Sequence, residues 1–80
     1  MKKIEISYFA ILRDQRGLSE ESLETAAHTV KDLYGELQEA HGFDMCTSRL
    51  KVAINDEFSE WDKELNDNDR VVFIPPVAGG

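Results

Sequence analysis

Apolar residues alternate with polar ones at both ends of this chain, and this pattern restricts the fold more than any other feature. Residues 2–9, KKIEISYF, alternate as expected for a strand with one buried face. Residues 70–74, RVVFI, form a second apolar run, which ends at Pro75 and Pro76 because proline has a locked φ and no N–H to donate. We expect the last strand to pair beside the first in one sheet.

Between these strands, residues 29–41 carry the clearest helical pattern in the chain. The apolar stripe of this helix is formed by Val30, Leu33, Tyr34 and Leu37. Thr29 is placed to cap the start of the helix, and Gly42 is placed to end it. Gly35 weakens the middle of a helix, so we expect it to mark close packing against the sheet.

Shorter elements separated by polar turns fill the rest of the chain. They are a helical turn at 10–17, strands at 22–26 and 50–55, a turn at 55–57, a short segment at 58–61 and a turn at 66–69. This order predicts one α+β domain over 1–80, the ubiquitin-like β-grasp, with a mixed sheet, one main helix on one face and a flexible Gly-Gly tail over 75–80. The same order also fits other small α+β folds.

The charge and the cysteine content exclude several kinds of function. The chain has 80 residues and a net charge of -7, from 16 acidic and 9 basic side chains. An acidic surface repels phosphate backbones, which argues against nucleic-acid binding. Cys46 is the single cysteine, which excludes an internal disulfide and a cysteine-rich metal site. Because no signal-peptide pattern or membrane-length apolar run is present, we expect a cytoplasmic protein without a membrane partner.

Apolar residues on the outer face of the sheet predict a docking surface. If the helix covers one face of the last strand, the other face exposes Val72 and Ile74. Phe9 lies on the non-core face of the first strand, and Phe58 belongs to the short fourth segment. An exposed apolar patch beside a chain terminus suggests a protein-binding site. A covering loop, or a bulge that shifts the alternation, would remove this surface.

Two glycines, Gly79 and Gly80, follow the rigid step formed by Pro75 and Pro76. Without Cβ atoms they can pass through a channel that is closed to other residues, and they present the terminal carboxylate on a thin arm. A partner that adenylates this carboxylate would turn a poor electrophile into one that sulfur or nitrogen can attack. The alternative is a frayed chain end, which is common.

Four stretches together resemble the small subunits of molybdopterin synthases, which are ubiquitin-like sulfur carriers. They are ISYFAILRD near the start, LKVAIN in the third strand, NDNDRVVFIPP in the last turn and strand, and the terminal PPVAGG. The resemblance covers essentially the whole chain, and the terminal motif is its most specific part. Ile74 departs from the family, which often has an aromatic residue there, and this puts the fit of the docking surface in question.

The resemblance implies a cycle of activation and sulfur transfer on the last residue. An adenylating partner would use ATP and magnesium on Gly80, and a sulfur donor would then leave a thiocarboxylate. The large synthase subunit, in a heterotetramer of two small and two large subunits, would pass the sulfur to cyclic pyranopterin monophosphate and form the molybdopterin dithiolene. We expect no cofactor to bind stably to this chain, which serves as a carrier subunit and leaves the catalysis to its partners.

These roles define the predicted site. Gly80 is the reacting residue, and Gly79 gives it clearance. The predicted docking patch is formed by Phe9, Phe58 and Ile74, and the segment that threads into a partner by Pro75, Pro76, Val77 and Ala78. Other functions stay open: a protein modifier joined to target lysines, a carrier for thiazole synthesis or tRNA thiolation, and an interaction domain with an idle tail.

Other residues with reactive or bulky side chains have simpler explanations. Cys46 has no adjacent histidine or base to lower its pKa, so we expect an incidental thiol. His28 and His41 flank the helix, too far apart to chelate a metal together, and the acidic residues at 56–69 lack the spacing of a calcium loop. Trp61 is expected to cap the edge of the core. No metal site is predicted.

Overall fold

The computed structural model describes residues 1–76, which form five strands, two α-helices and one short 3-10 turn. In chain order the elements are β1 (Lys2–Tyr8), α1 (Ala10–Arg16), β2 (Glu20–Thr25), α2 (Val30–His41), the 3-10 turn (Thr47–Arg49), β3 (Lys51–Ile54), β4 (Glu57–Ser59) and β5 (Arg70–Ile74). The predicted tail residues Val77, Ala78, Gly79 and Gly80 lie outside the described residues. Every strand and helix expected from the sequence is present, with boundaries shifted by at most two residues.

The strands form one mixed sheet in the order β2-β1-β5-β3-β4. β1 and β5 pair in parallel at the centre, and the other neighbouring strands pair antiparallel. The main helix α2 packs its apolar stripe across one face of this sheet. The expected α+β class and β-grasp arrangement, a mixed sheet with one main helix on one face, are therefore confirmed.

Alternation in β1 and β5 decides which side chains form the core. The inward residues of these strands are almost fully buried against α2; they are Ile4, Ile6, Tyr8, Val71 and Phe73. The indole of Trp61 lies nearly parallel to the ring of Phe73, with ring centroids 6.0 Å apart, and closes one edge of the core as predicted. Contacts of this kind supply most of the stability of a small domain, because apolar burial is the main favourable contribution.

Side-chain and glycine caps define the ends of α2. The hydroxyl of Thr29 accepts a hydrogen bond from the backbone N–H of Asp32 at 3.2 Å, as expected for an N-cap. Gly42 ends the helix in the left-handed region, with φ 69°, and its N–H donates to the carbonyl of Gln38 at 2.8 Å.

The 66–69 turn is tied to β1, because the N–H of Lys3 donates to the Asp67 carboxylate at 2.7 Å.

The expectation for Gly35 is wrong. A Cβ built at this position meets no heavy atom within 4 Å, so the glycine does not serve a close approach of α2 to the sheet. The four stripe residues on the buried face of the helix make the contacts with the sheet instead.

Replacing Gly35 with alanine should raise the free energy of unfolding by about 0.5–1 kcal/mol, because alanine loses less backbone entropy in a helix. Its methyl group has open space to occupy. Urea denaturation followed by circular dichroism measures the change. Gly42→Ala is the matched control: with φ +69°, that position strains any L side chain, and the variant should lose about 1 kcal/mol. A destabilised Gly35→Ala variant would show that this side of α2 is packed after all.

Candidate docking surface

The sheet face opposite α2 carries a row of side chains that strand pairing brings together. Ser7 pairs with Val72, Val72 pairs with Ala53, and Ala53 pairs with Phe58. Residues paired in this way point to the same face of a sheet. Phe58 is 75% exposed and Val72 is half-buried, so this part of the outer face offers accessible apolar side chains, as the sequence predicts.

The parallel register of β1 and β5 brings the predicted residues Phe9 and Ile74 together. Tyr8 pairs with Phe73, so the next residue of each strand falls at the same end of the sheet. Phe9 is 50% exposed, Ile74 is half-buried, and both line one apolar groove. Phe58 shares their sheet face but lines a different, more polar depression beside β4. The three predicted patch residues thus occupy one face in two separate places.

The two prolines after β5 differ in their surroundings. Pro75 is buried and Pro76 is exposed, and both line the groove with Phe9 and Ile74. In the described part of the chain, burial at this end therefore stops at Pro75. The described structure ends at Pro76, next to the groove.

Sequence reasoning missed three residues of this groove, Ala10, Ile11 and Met45. Ile11 stands beside Leu12 in α1, where adjacent residues point in different directions, and only Leu12 enters the core. Because two adjacent residues of a helix cannot both face the core, the neighbouring apolar residues Ile11 and Leu12 indicate from the sequence that one of them lies on the surface. Met45 lies in the loop after α2, and no periodic pattern links it to the groove.

A charged network holds the far end of α1 against the sheet. Arg16 donates two hydrogen bonds of 2.8 Å to the Glu21 carboxylate, and the buried Tyr8 hydroxyl donates to the same carboxylate. The hydrogen bonds from Arg16 hold the pKa of Glu21 below its ordinary value. Burial, together with the hydrogen bond to Glu21, raises the pKa of Tyr8. The network joins β1, α1 and β2 and so fixes the helix that begins at the groove.

The expectation for the Cys46 thiol is wrong in one respect. The exposed thiol lies 3.0 Å from the Ser48 hydroxyl, and this hydrogen bond lowers the pKa of the thiol although no histidine or base is adjacent in sequence.

The His41 ring packs near Phe43, with ring centroids 5.7 Å apart. Among the described residues, no three His, Cys, Asp or Glu side chains gather into a group that could hold a metal ion.

Neither helix of the described part of the chain is long and apolar enough to cross a membrane.

The chain resembles known proteins over nearly its whole length. A family model described as the ThiS family matches residues 6–80. The molybdopterin synthase sulfur carrier subunit of Chlamydomonas reinhardtii is 37% identical over 83 residues, which cover 98% of this chain and 99% of that relative.

Solved structures agree with this relationship. The putative molybdopterin converting factor subunit 1 from Pyrococcus furiosus is 30% identical, with a TM-score of 0.79 over 96% of this chain and 100% of that one. In the complex of subunits 1 and 2 of the molybdopterin-converting factor from Helicobacter pylori, the matching chain is 25% identical. Its TM-score is 0.68, over 98% of this chain and 99% of that chain.

The assignment of the two sheet faces is tested by a pair of phenylalanines. Phe9→Ala should change the free energy of unfolding by less than about 1 kcal/mol, because its ring is half exposed on the open face. Phe73→Ala should cost about 3–5 kcal/mol, because it empties a fully buried site beneath α2. Guanidinium denaturation of both variants gives the comparison. Equal losses would mean that Phe9 belongs to the core.

Stability should also depend on pH through Glu21. Glu21→Gln should cost about 1 kcal/mol at neutral pH, because it removes the charge that receives hydrogen bonds from Arg16 and Tyr8. The folded pKa of Glu21 lies below 4.5, so its contribution is present above that pH and is lost as the pH falls through the folded value. Denaturation at neutral and acidic pH should show the gap between wild type and variant closing. If the difference in free energy of unfolding between wild type and variant stays constant as the pH falls, the loss comes from packing and not from the missing charge.

Proposed function

Because the chain belongs to the ThiS family, we propose that it is the small, sulfur-carrying subunit of a molybdopterin synthase. The observation that carries this proposal is the 37% identity to a molybdopterin synthase sulfur carrier subunit across 98% of the chain. The motif PPVAGG ends in Gly80, whose carboxylate is the group that such a carrier needs for its chemistry.

The first step activates the C-terminal carboxylate. A carboxylate oxygen of Gly80 attacks the α-phosphorus of ATP, bound with magnesium in an adenylating partner, and pyrophosphate leaves. The acyl-adenylate is then attacked at its carbonyl carbon by sulfur at the sulfide oxidation level. The bond to AMP breaks, AMP leaves, and a thiocarboxylate remains on Gly80. No electron is gained or lost in either step.

The second half of the cycle delivers the sulfur. The thiocarboxylate sulfur is the nucleophile that replaces an oxygen substituent on a side-chain carbon of cyclic pyranopterin monophosphate, in the active site of the large subunit: a carbon–sulfur bond forms and a carbon–oxygen bond breaks. Water then cleaves the acyl–sulfur bond and restores the Gly80 carboxylate. Because the dithiolene of molybdopterin holds two sulfur atoms, two charged carriers are consumed for each pterin. None of these steps needs an acid or base from the folded body of this chain.

The described residues support a role of the folded body in docking, with the chemistry carried by the tail. Phe9 and Ile74 form an apolar surface at the end of the sheet where the chain leaves the body. Pro75 and Pro76 prevent the tail from continuing β5 as a strand. Gly79 gives the reacting carboxylate clearance in a narrow site, and Val77 and Ala78 line the threaded segment with the prolines.

The proposed partners are the large synthase subunit, an adenylating enzyme and a sulfur donor. The Helicobacter pylori relative is found as a complex of subunits 1 and 2 of its converting factor, which supports a complex of the same kind here. We place two copies of this chain with two large subunits. An acidic chain whose single, exposed thiol suits a reducing compartment supports a cytoplasmic location.

Intact mass spectrometry of the chain, purified from cells that hold its adenylating enzyme, tests this function. We expect a species heavier by the exchange of one oxygen for sulfur, and we expect deletion of Gly80 to abolish it while the melting temperature stays unchanged. Addition of one residue after Gly80 is a second variant with the same expected loss. A plain carboxylate alone, with enzyme, ATP and sulfur source supplied, contradicts the proposal, and isopeptide-linked conjugates would point to a protein modifier.

A further inference from the structure

The segment between β1 and β2 differs from the rest of the chain in how it is held. We call residues 9–18 the strap; it contains α1 and connects two neighbouring antiparallel strands. The N–H of Tyr8 donates to the carbonyl of Ser19 at 2.8 Å and closes the base of the strap. Because this bond and the strand pairs beyond it involve no residue of the strap, the sheet can stay intact when the strap leaves it.

The strap has little apolar contact with the core. α1 has seven residues, and a helix of that length is unstable by itself in water. Within α1, which is described in full, Leu12 is the one buried residue, whereas α2 buries four. Ile11 and Leu18 are both exposed. Elements with so few buried apolar side chains have low local stability, so we expect α1 to open before the sheet does.

Backbone strain at its start also favours opening of the strap. Ala10 has φ 51°, in the left-handed region that is unfavourable for a residue with a Cβ atom. Asn55, Asp56 and Asn68 share this conformation, but their short polar side chains form local hydrogen bonds that make it less costly. Alanine has no such group. Opening of the strap therefore relieves the strain at Ala10.

An ion pair at the end of α1 opposes this opening. Arg16 donates two hydrogen bonds of 2.8 Å to the Glu21 carboxylate, and the two side chains are only 24% and 14% exposed. A two-point pair of arginine and carboxylate is among the stronger polar contacts in proteins. Tyr8 donates to the same carboxylate from β1 and so holds Glu21 in place whether the strap is open or closed. A second contact, from the Gln15 amide to the Asp44 carboxylate at 3.1 Å, is exposed to solvent.

We propose that the strap opens and closes as one unit while the sheet stays folded, and that the Arg16–Glu21 pair is the latch that keeps it closed. The strap supplies part of the apolar groove, through Phe9, Ala10 and Ile11. The complete groove therefore exists only while the strap is closed, and the latch controls it without lining it. This inference concerns the free chain and does not depend on the proposed carrier function.

Hydrogen exchange of the free, full-length chain in low concentrations of urea tests the opening. Amides of α1 should exchange about tenfold or more faster than the slowest amides of β1 and β5, at rates almost independent of urea, because a local opening exposes little surface. Val52→Ala, in β3 and two strands away from β1, is the control for global stability. It should accelerate the slowest amides by about tenfold or more and leave those of α1 unchanged.

Substitutions at both ends of the ion pair test the latch. Arg16→Gln and Glu21→Gln should each accelerate the exchange of α1 about fivefold, because each removes the charged hydrogen bonds. The double variant should accelerate it no further, because both changes remove the same contact. Asp56→Asn is the matched control: it breaks the exposed ion pair with Arg70 and should change the exchange of α1 by less than about twofold.

Thiol labelling gives a second measurement that does not use amides. In a Cys46→Ser background, Leu12→Cys should react with a thiol reagent through the open strap, at a rate insensitive to low urea. Ile4→Cys, buried in β1, should react only as fast as the whole domain unfolds. Circular dichroism of both variants checks that each remains folded.

Each remaining outcome overturns the proposal or its latch. If the amides of α1 share the urea dependence of the slowest sheet amides, the strap does not open separately. If they exchange as fast as those of an unfolded peptide, the strap has no closed state. If Asp56→Asn accelerates α1 as much as Arg16→Gln does, the ion pair at Glu21 is not the latch. Thiocarboxylate formation is measured separately by mass, so none of these results bears on the carrier function.

Discussion

The parallel pairing of β1 with β5 is the constraint on which the rest of this molecule depends. It brings the beginning and the end of the chain side by side at the centre of the sheet, with Tyr8 opposite Phe73. Parallel neighbours end at the same edge, so Phe9 and Ile74 meet where the tail begins. A register shift of one residue would turn the buried residues of β5 outward and separate this edge from the groove.

The apolar character of both faces of β5 follows from this central position. One face, with Val71 and Phe73, is covered by α2, and the other, with Val72 and Ile74, has no helix over it among the described residues. A strand that needed only to fold could carry polar residues on the uncovered face. The apolar outer face is therefore better explained by a partner protein than by the stability of the isolated domain.

Periodicity made the sheet, the main helix and the two faces of the last strand predictable, because alternation and helical spacing are local properties. Contacts between segments distant in sequence were not predictable in this way. Met45 joins the groove only because two side chains of α2 hold its carbonyl, and the open space around Gly35 depends on how α2 sits on the sheet. The lowered pKa of Cys46 is a local effect, but it depends on a turn that brings the Ser48 hydroxyl to the thiol, and no periodic pattern in the sequence specifies that turn. The tail residues 77–80 were identified by their motif alone.

The distribution of charge on the open face is consistent with a surface that must be desolvated on binding. The chain carries a net charge of -7, and two acidic residues of this face, Glu5 and Glu24, lie opposite a base on the neighbouring strand. Lys3 is paired with Glu24, Glu5 with Arg70, and the Arg70 guanidinium lies 3.0 Å from the Asp56 carboxylate. Matched charges at the rim create little net field, and protein interfaces generally place apolar residues at their centre and polar residues around them.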